Sequence, residues 1–69
     1  MTYYTIDVNA DRKPVNGWED VTVKLHSSDE LIMEKCVAVT LADKYAAKHQ
    51  NDGVRVLEHT IATAAVWCQ

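Results

Sequence analysis

The stretch PVNGWED, Pro14 to Asp20, decides how the first third of the chain is read. Asn16-Gly17 is a dipeptide favoured by type I′ turns, because both central positions there need positive φ. A two-residue loop pairs Val15 with Trp18. Counting outward then sets Ala10 opposite Val23 and Val8 opposite Leu25. Residues 2–10 alternate, with Tyr4, Ile6, Val8 and Ala10 on one side and Tyr3, Thr5, Asp7 and Asn9 on the other. Residues 19–26 alternate as well, Val21, Val23 and Leu25 against Asp20, Thr22, Lys24 and His26. This is the period of half-buried strands. In the register above both apolar sets reach one face, and a one-residue slip would put one set in water. A longer loop through residues 10–14 is the alternative.

Beyond the hairpin, Ser27-Ser28-Asp29-Glu30 fits a capping box and predicts a helix start. The acids Asp29 and Glu30 at its beginning and Lys44, Lys48 and His49 at its end suit the helix dipole. On a helical wheel, Leu31, Ile32, Ala38, Val39, Leu41, Ala42, Tyr45 and Ala46 form one apolar stripe. Lys35 falls inside that stripe and would have to extend along it to reach water. The β-branched run from Cys36 to Thr40 makes the first half the weaker helix former. Asn51-Asp52-Gly53 is expected to end the helix, with Gly53 in the left-handed position. The remaining segment, VRVLEHTIATAAVWCQ, reads as strand. With no Gly, Pro or Asn near Glu58-His59-Thr60, it is either one bent strand or two strands, and the face of Trp67 is open.

The expected architecture is α+β. It is a single domain over residues 1–69, a small antiparallel sheet of three to four strands in the order β-β-α-β-β, with one helix packed on one face. A chain of this length buries only about 60% of the surface its unfolded form exposes, so its stability is expected to be marginal. One helix covers one side of a sheet, and the other side is left open. That side is expected to carry Tyr3, Thr5, Val15, Trp18, Thr22 and Lys24, joined by Arg55, Leu57 and His59 if Val54 and Val56 point inward. Trp18 then has two readings. It closes the hairpin end by local packing, or it belongs to a contact patch with Arg55, since exposed aromatics with arginine resemble interface anchors.

Several chemistries find no support. The three histidines and two cysteines show neither the C-x₂₋₄-C nor the H-x₃₋₅-H spacing of zinc sites, so no metal is expected. Glu58 and His59 are adjacent on a strand and point to opposite faces, which separates the would-be base from its orienting acid. No catalytic residues are assigned, and the chain reads as non-enzymatic. Gly17 and Gly53 stand alone, so there is no phosphate loop, and no cofactor is expected. The net charge of −3 and scattered basic residues disfavour nucleic acid, leaving only weak single-strand binding by Tyr3, Trp18 and Thr22 as an outside alternative. No window suits a membrane span. No basic segment followed by an apolar run opens the chain. Cytoplasmic placement follows, with Cys36 and Cys68 reduced and serving as small apolar fillers.

What remains is an acidic protein–protein interaction module. Its partner is another protein, or itself, met through the open sheet face; the competing reading is a structural homodimer in which two open faces or two edge strands close on each other. Short acidic domains without motifs often act as inhibitory or accessory factors of the kind phages and plasmids carry, with a host protein as target. That is an expectation from size class alone.

Overall fold

The computed structural model describes residues 1–13 and 17–69. In chain order it contains β1 (Tyr3–Asn9), a short turn of 3-10 helix (Ala10–Arg12), β2 (Trp18–Asp20), α1 (Thr22–His26), α2 (Lys35–Lys48), β3 (Gly53–His59) and β4 (Thr63–Cys68). The strands form one antiparallel sheet in the spatial order β2-β1-β3-β4. The α+β class and the β-β-α-β-β order are those expected, with one main helix on one face and the single-turn α1 added.

The alternation in β1 is realised as read. Tyr4, Ile6 and Val8 point to the helix side and meet Glu58, Val56 and Val54 of β3. Ile6, Val54 and Val56 are fully buried, and α2 closes the core with Ala38, Ala42 and Ala46. The alanine spacing of four keeps one narrow stripe against the sheet, so the helix backbone can lie close to it. Each fully buried Val or Ile contributes about 1.5–3 kcal/mol by leaving water. Val39, Leu41 and Tyr45 flank the stripe, half-buried.

The pairing of β1 with β2 differs from the sequence reading. Val8 stands opposite Glu19 and Asn9 opposite Trp18, not Val8 opposite Leu25. Val15 and Asn16 lie outside the described residues. The connection is therefore a long one, running from Ala10 to Gly17. Asn9 holds its start: the side-chain oxygen accepts from the Lys13 N–H at 2.9 Å and the amide donates to the Lys13 carbonyl.

Residues 21–26 are the second correction. They are read as strand but coil into α1. The cause is local. Asp20 Oδ1 accepts from both the backbone N–H and the hydroxyl of Thr22, at 2.9 and 2.5 Å. Such a side-chain turn competes with the ladder and starts the helix. The β1 edge is not left bare. Val21 N–H donates to the Ile6 carbonyl, and Thr22 Oγ1 accepts from the Ile6 N–H, both at 2.9 Å. Val21 is then buried and Leu25, one turn on, half-buried, while Val23 is exposed. This is helical spacing, and the expected inward Val23 is overturned.

The capping box fails for the same reason. Ser27 ends α1 in the left-handed region, φ 57°, with its N–H on the Val23 carbonyl. Ile32 is buried through an extended bridge to Tyr4, and α2 begins only at Lys35. Lys35 therefore lies in the first turn, exposed, and needs no path along the core. At the other end α2 stops at Lys48, and Gly53 is the first residue of β3 with no positive φ. Cys36 and Cys68 are both exposed and unbonded, not core fillers.

Two strands, not one, make up the tail. Thr60 closes their loop, its N–H donating to the Ala62 carbonyl at 3.1 Å. A bulge at Val66 in β4 lets both Val66 and Trp67 pack against the core margin, so Trp67 lies on the helix side. On that side the Tyr4 hydroxyl donates to Glu58 Oε2 at 3.0 Å, and this bond, burial and the carboxylate charge raise the phenol pKa. Burial raises that of Tyr45 too, with its bond to Asp52 and the charges of Asp52 and Glu19 adding to it.

Thr22→Val removes the hydroxyl that accepts from the Ile6 N–H and is expected to cost about 1–3 kcal/mol. Thr22→Ser should retain most of that stability. Urea unfolding of the two variants checks it, and equal midpoints would contradict the role of the hydroxyl.

Candidate functional site: the open sheet face

The face opposite α2 is built in four cross-strand rows. At one end Trp18, Asn9 and Gly53 lie side by side. Next come Asp20, Asp7, Arg55 and Cys68, then Thr5, Leu57 and Ala65, and last Tyr3, His59 and Thr63. Among the described residues no helix packs across these rows, and α1 and residues 29–32 wall one corner.

The centre of the face is a clamp. Arg55 donates from Nε and Nη2 to Asp7 Oδ2, at 3.1 and 3.0 Å, and its guanidinium carbon lies 4.1 Å from the centre of the Trp18 ring. A cation over an indole face is attracted by the ring quadrupole, by about 0.5–1 kcal/mol where exposed. The far edge of the indole rests on Gly53, where a Cβ would come within 3.2 Å of the ring. Glycine suits the position by close approach and not by a turn, since a side chain there would press the indole aside by a few tenths of an ångström.

Asp7 and Asp20 stand directly opposite each other, an arrangement that repels when both carboxylates are free. Here each is turned away from the other, Asp7 onto Arg55 and Asp20 onto Thr22. Two strands that would otherwise repel are thus kept in register by the partners of their acids.

At the other end the Tyr3 ring stacks on His59, with ring centres 4.6 Å apart and planes 8° from parallel. Both histidine nitrogens meet hydroxyls, Nε2 that of Thr5 at 2.7 Å and Nδ1 that of Thr63 at 3.2 Å. Glu58 faces the other way, onto Tyr4, so His59 has no carboxylate to orient it. Among the described residues no three His, Cys, Asp or Glu side chains gather where a metal could be held.

Of the residues expected on this face, Tyr3, Thr5, Trp18, Arg55 and Leu57 are there. Val15 lies outside the described residues. Thr22 is not on the face: its hydroxyl is committed to Asp20 and Ile6 at the start of α1. Lys24 is exposed on α1, at the rim of a groove of about 650 Å³ that also borders Tyr3, Thr5 and His59. A second concavity of about 340 Å³ lies over the clamp, between Trp18, Arg55, Arg12 and Cys68. Asn9, Gly53, Ala65 and Cys68 belong to the face without having been singled out. The place of Asn9 and Gly53 follows from the β1–β3 register, and that of Ala65 and Cys68 from the β3–β4 hairpin, which Thr60 closes without a glycine or proline to announce it.

Comparison with protein-family models, with curated proteins and with solved structures finds no match for this chain. Among the described residues no helix is long and apolar enough to cross a membrane.

Arg55→Ala leaves the Asp7 carboxylate unpaired at 8% exposure and frees the indole. A stability loss of about 2 kcal/mol is expected. In a Trp67→Phe background, acrylamide quenching of the remaining Trp18 should rise in this variant. Unchanged quenching and unchanged stability would show that the clamp holds neither group.

Proposed function

We propose that the chain is a non-enzymatic protein-binding module that docks a partner polypeptide on its open sheet face. One observation carries the reading: the acids at the centre of the face are both bonded, and that centre is an arginine held between a carboxylate and an indole. The chain has ten acidic residues. Within its cross-strand rows only Asp7 and Asp20 are among them, both already bonded, while Asp29 and Glu30 stand at the wall of one corner and Glu19, Glu34 and Asp43 lie elsewhere. Charge depletion at the centre with aromatic and arginine enrichment is the compositional signature of interface cores. Such anchors dominate binding energy when they are held in place beforehand.

The same geometry favours a protein over single-stranded nucleic acid. Bases stack on open aromatic faces, but here Tyr3 is stacked on His59 and one face of Trp18 is taken by Arg55. A net charge of −3 adds no attraction for phosphates. We place the module in the cytoplasm, which suits two exposed, unbonded thiols. An accessory or inhibitory role toward a host protein fits its size and lack of catalytic groups.

The test is affinity capture from host lysate with matched baits: the unaltered chain, Trp18→Ala, Leu57→Arg, and Val37→Ser on the exposed side of α2 as control. A protein retained by the unaltered chain and the control, and lost at least tenfold with both face variants, is the expected result. Equal retention by all four baits would refute docking on this face.

A further inference from the structure

The sheet has two edges, β2 and β4, and they differ sharply. β2 is three residues long, and two of them are acids, Glu19 and Asp20. A second copy would be repelled there. β4 is six residues long, and from Thr60 to Gln69 the chain carries no charged side chain and no proline. Charge and proline are the usual means by which an edge is kept from pairing. The bulge at Val66 is the one such device on β4, and it lies beyond the first half of the strand.

The hydrogen-bond phase shows which groups are free. Gln69 N–H donates to the Val54 carbonyl, so Val54, Val56 and Glu58 of β3 turn their backbone groups toward β4. Ala64, opposite Glu58, is bonded inward. Thr63 and Ala65, opposite His59 and Leu57, therefore aim their N–H and carbonyl groups outward at the free edge. All three residues are exposed.

We propose that this edge pairs with a second copy of itself. Two β4 strands meet antiparallel about a two-fold axis through Ala64. Thr63 of each copy exchanges two hydrogen bonds with Ala65 of the other, and the two Ala64 residues face each other. The register uses the straight half of the strand and leaves the bulge outside. It also brings Ile61, fully exposed at the hairpin tip, alongside the Val66-Trp67 segment of the other copy. The two four-stranded sheets become one, with both main helices on one side and both open faces on the other. Pairing β4 to β2 instead would be head-to-tail and would not close, and the short acidic β2 offers little to bind. A single strand pair buries less than the roughly 1,000 Å² of a stable interface, so the association is weak and depends on concentration.

The proposal is independent of docking on the open face, which a monomer would serve equally well. Its test is sedimentation equilibrium from micromolar to millimolar chain. The expected mass rises from 7.8 kDa toward twice that value. Ala64→Glu and Ala64→Lys, each facing its own like charge across the axis, should each remain at the single-chain mass, and an equimolar mixture of the two should associate again. In the unaltered chain, amide exchange of Thr63 and Ala65 should slow as concentration rises, a readout that needs no variant to fold. A mass constant into the millimolar range, association indifferent to both charges, or no re-association in the mixture would overturn the proposal, as would Thr63 and Ala65 exchange that ignores concentration.

Discussion

The alignment of β1 with β3 is the constraint on which everything else rests. Ile6 against Val56 and Val8 against Val54 place four branched side chains on the helix side. The intervening residues of both strands go to the other side in the same step. Because a strand alternates with period two, this single register sets both the core and the open face. Shifting it by one residue would turn one strand over, putting either Arg55 under α2 with Val54 and Val56 exposed, or Asp7 under α2 with Ile6 and Val8 exposed. The Asp7–Arg55 pair therefore has a structural consequence beyond its own energy: it forms only in the register that also buries the core.

The three alanines of α2 and the valines beneath them make a thin core. Thinness explains how much of the remaining structure is held by polar side chains acting on backbone groups. Thr22 completes the edge of β1, Asn9 closes the turn after it, and Asp52 accepts from the Asp11 N–H at 3.1 Å and from the Tyr45 hydroxyl at 3.2 Å. A small domain can leave few such groups unsatisfied when the total margin is a few kcal/mol, and His26 Nδ1 is the buried side-chain atom without a partner among the described residues. It also has no second layer with which to cover the rear of its sheet. The open face is thus a result of chain length before it is a feature of function.

The alternation of β1, a helix through residues 35–48 though not its bounds, the inward Val54 and Val56, and the outward Trp18 and Arg55 were all legible in the residues. Their periods are unbroken and their neighbours agree. The segment from Val21 to Leu25 was not, because its β-branched alternation is a good strand pattern in isolation. Asp20 two residues before Thr22 is the signal that overrules it, a carboxylate placed to catch the next free N–H. The capping box at Ser27 misled in the same manner: its residue types fit, but Ser27 is occupied in ending α1. Asn16-Gly17 suggested a tight reversal, whereas Asn9 and Lys13 show that the connection begins earlier. Of the site, Thr22 and Lys24 were misplaced with that segment. His59 could be placed on the face from its phase with Arg55 and Leu57, though its stacking on Tyr3 depends on the cross-strand register.

The most direct measurement is a nuclear Overhauser spectrum of the labelled chain, read for close contacts between α-protons across strands. Residues facing each other without mutual hydrogen bonds have Cα atoms about 4.5 Å apart and their α-protons in contact. The account predicts strong α-proton cross-peaks between Ile6 and Val56 and between Val8 and Val54, with helical contacts from Val21 to Leu25. Cross-peaks joining residues 8–10 to residues 23–25, with Val21 to Leu25 extended, would contradict it. The shared register, the clamp over Trp18 and the open face would then fall together.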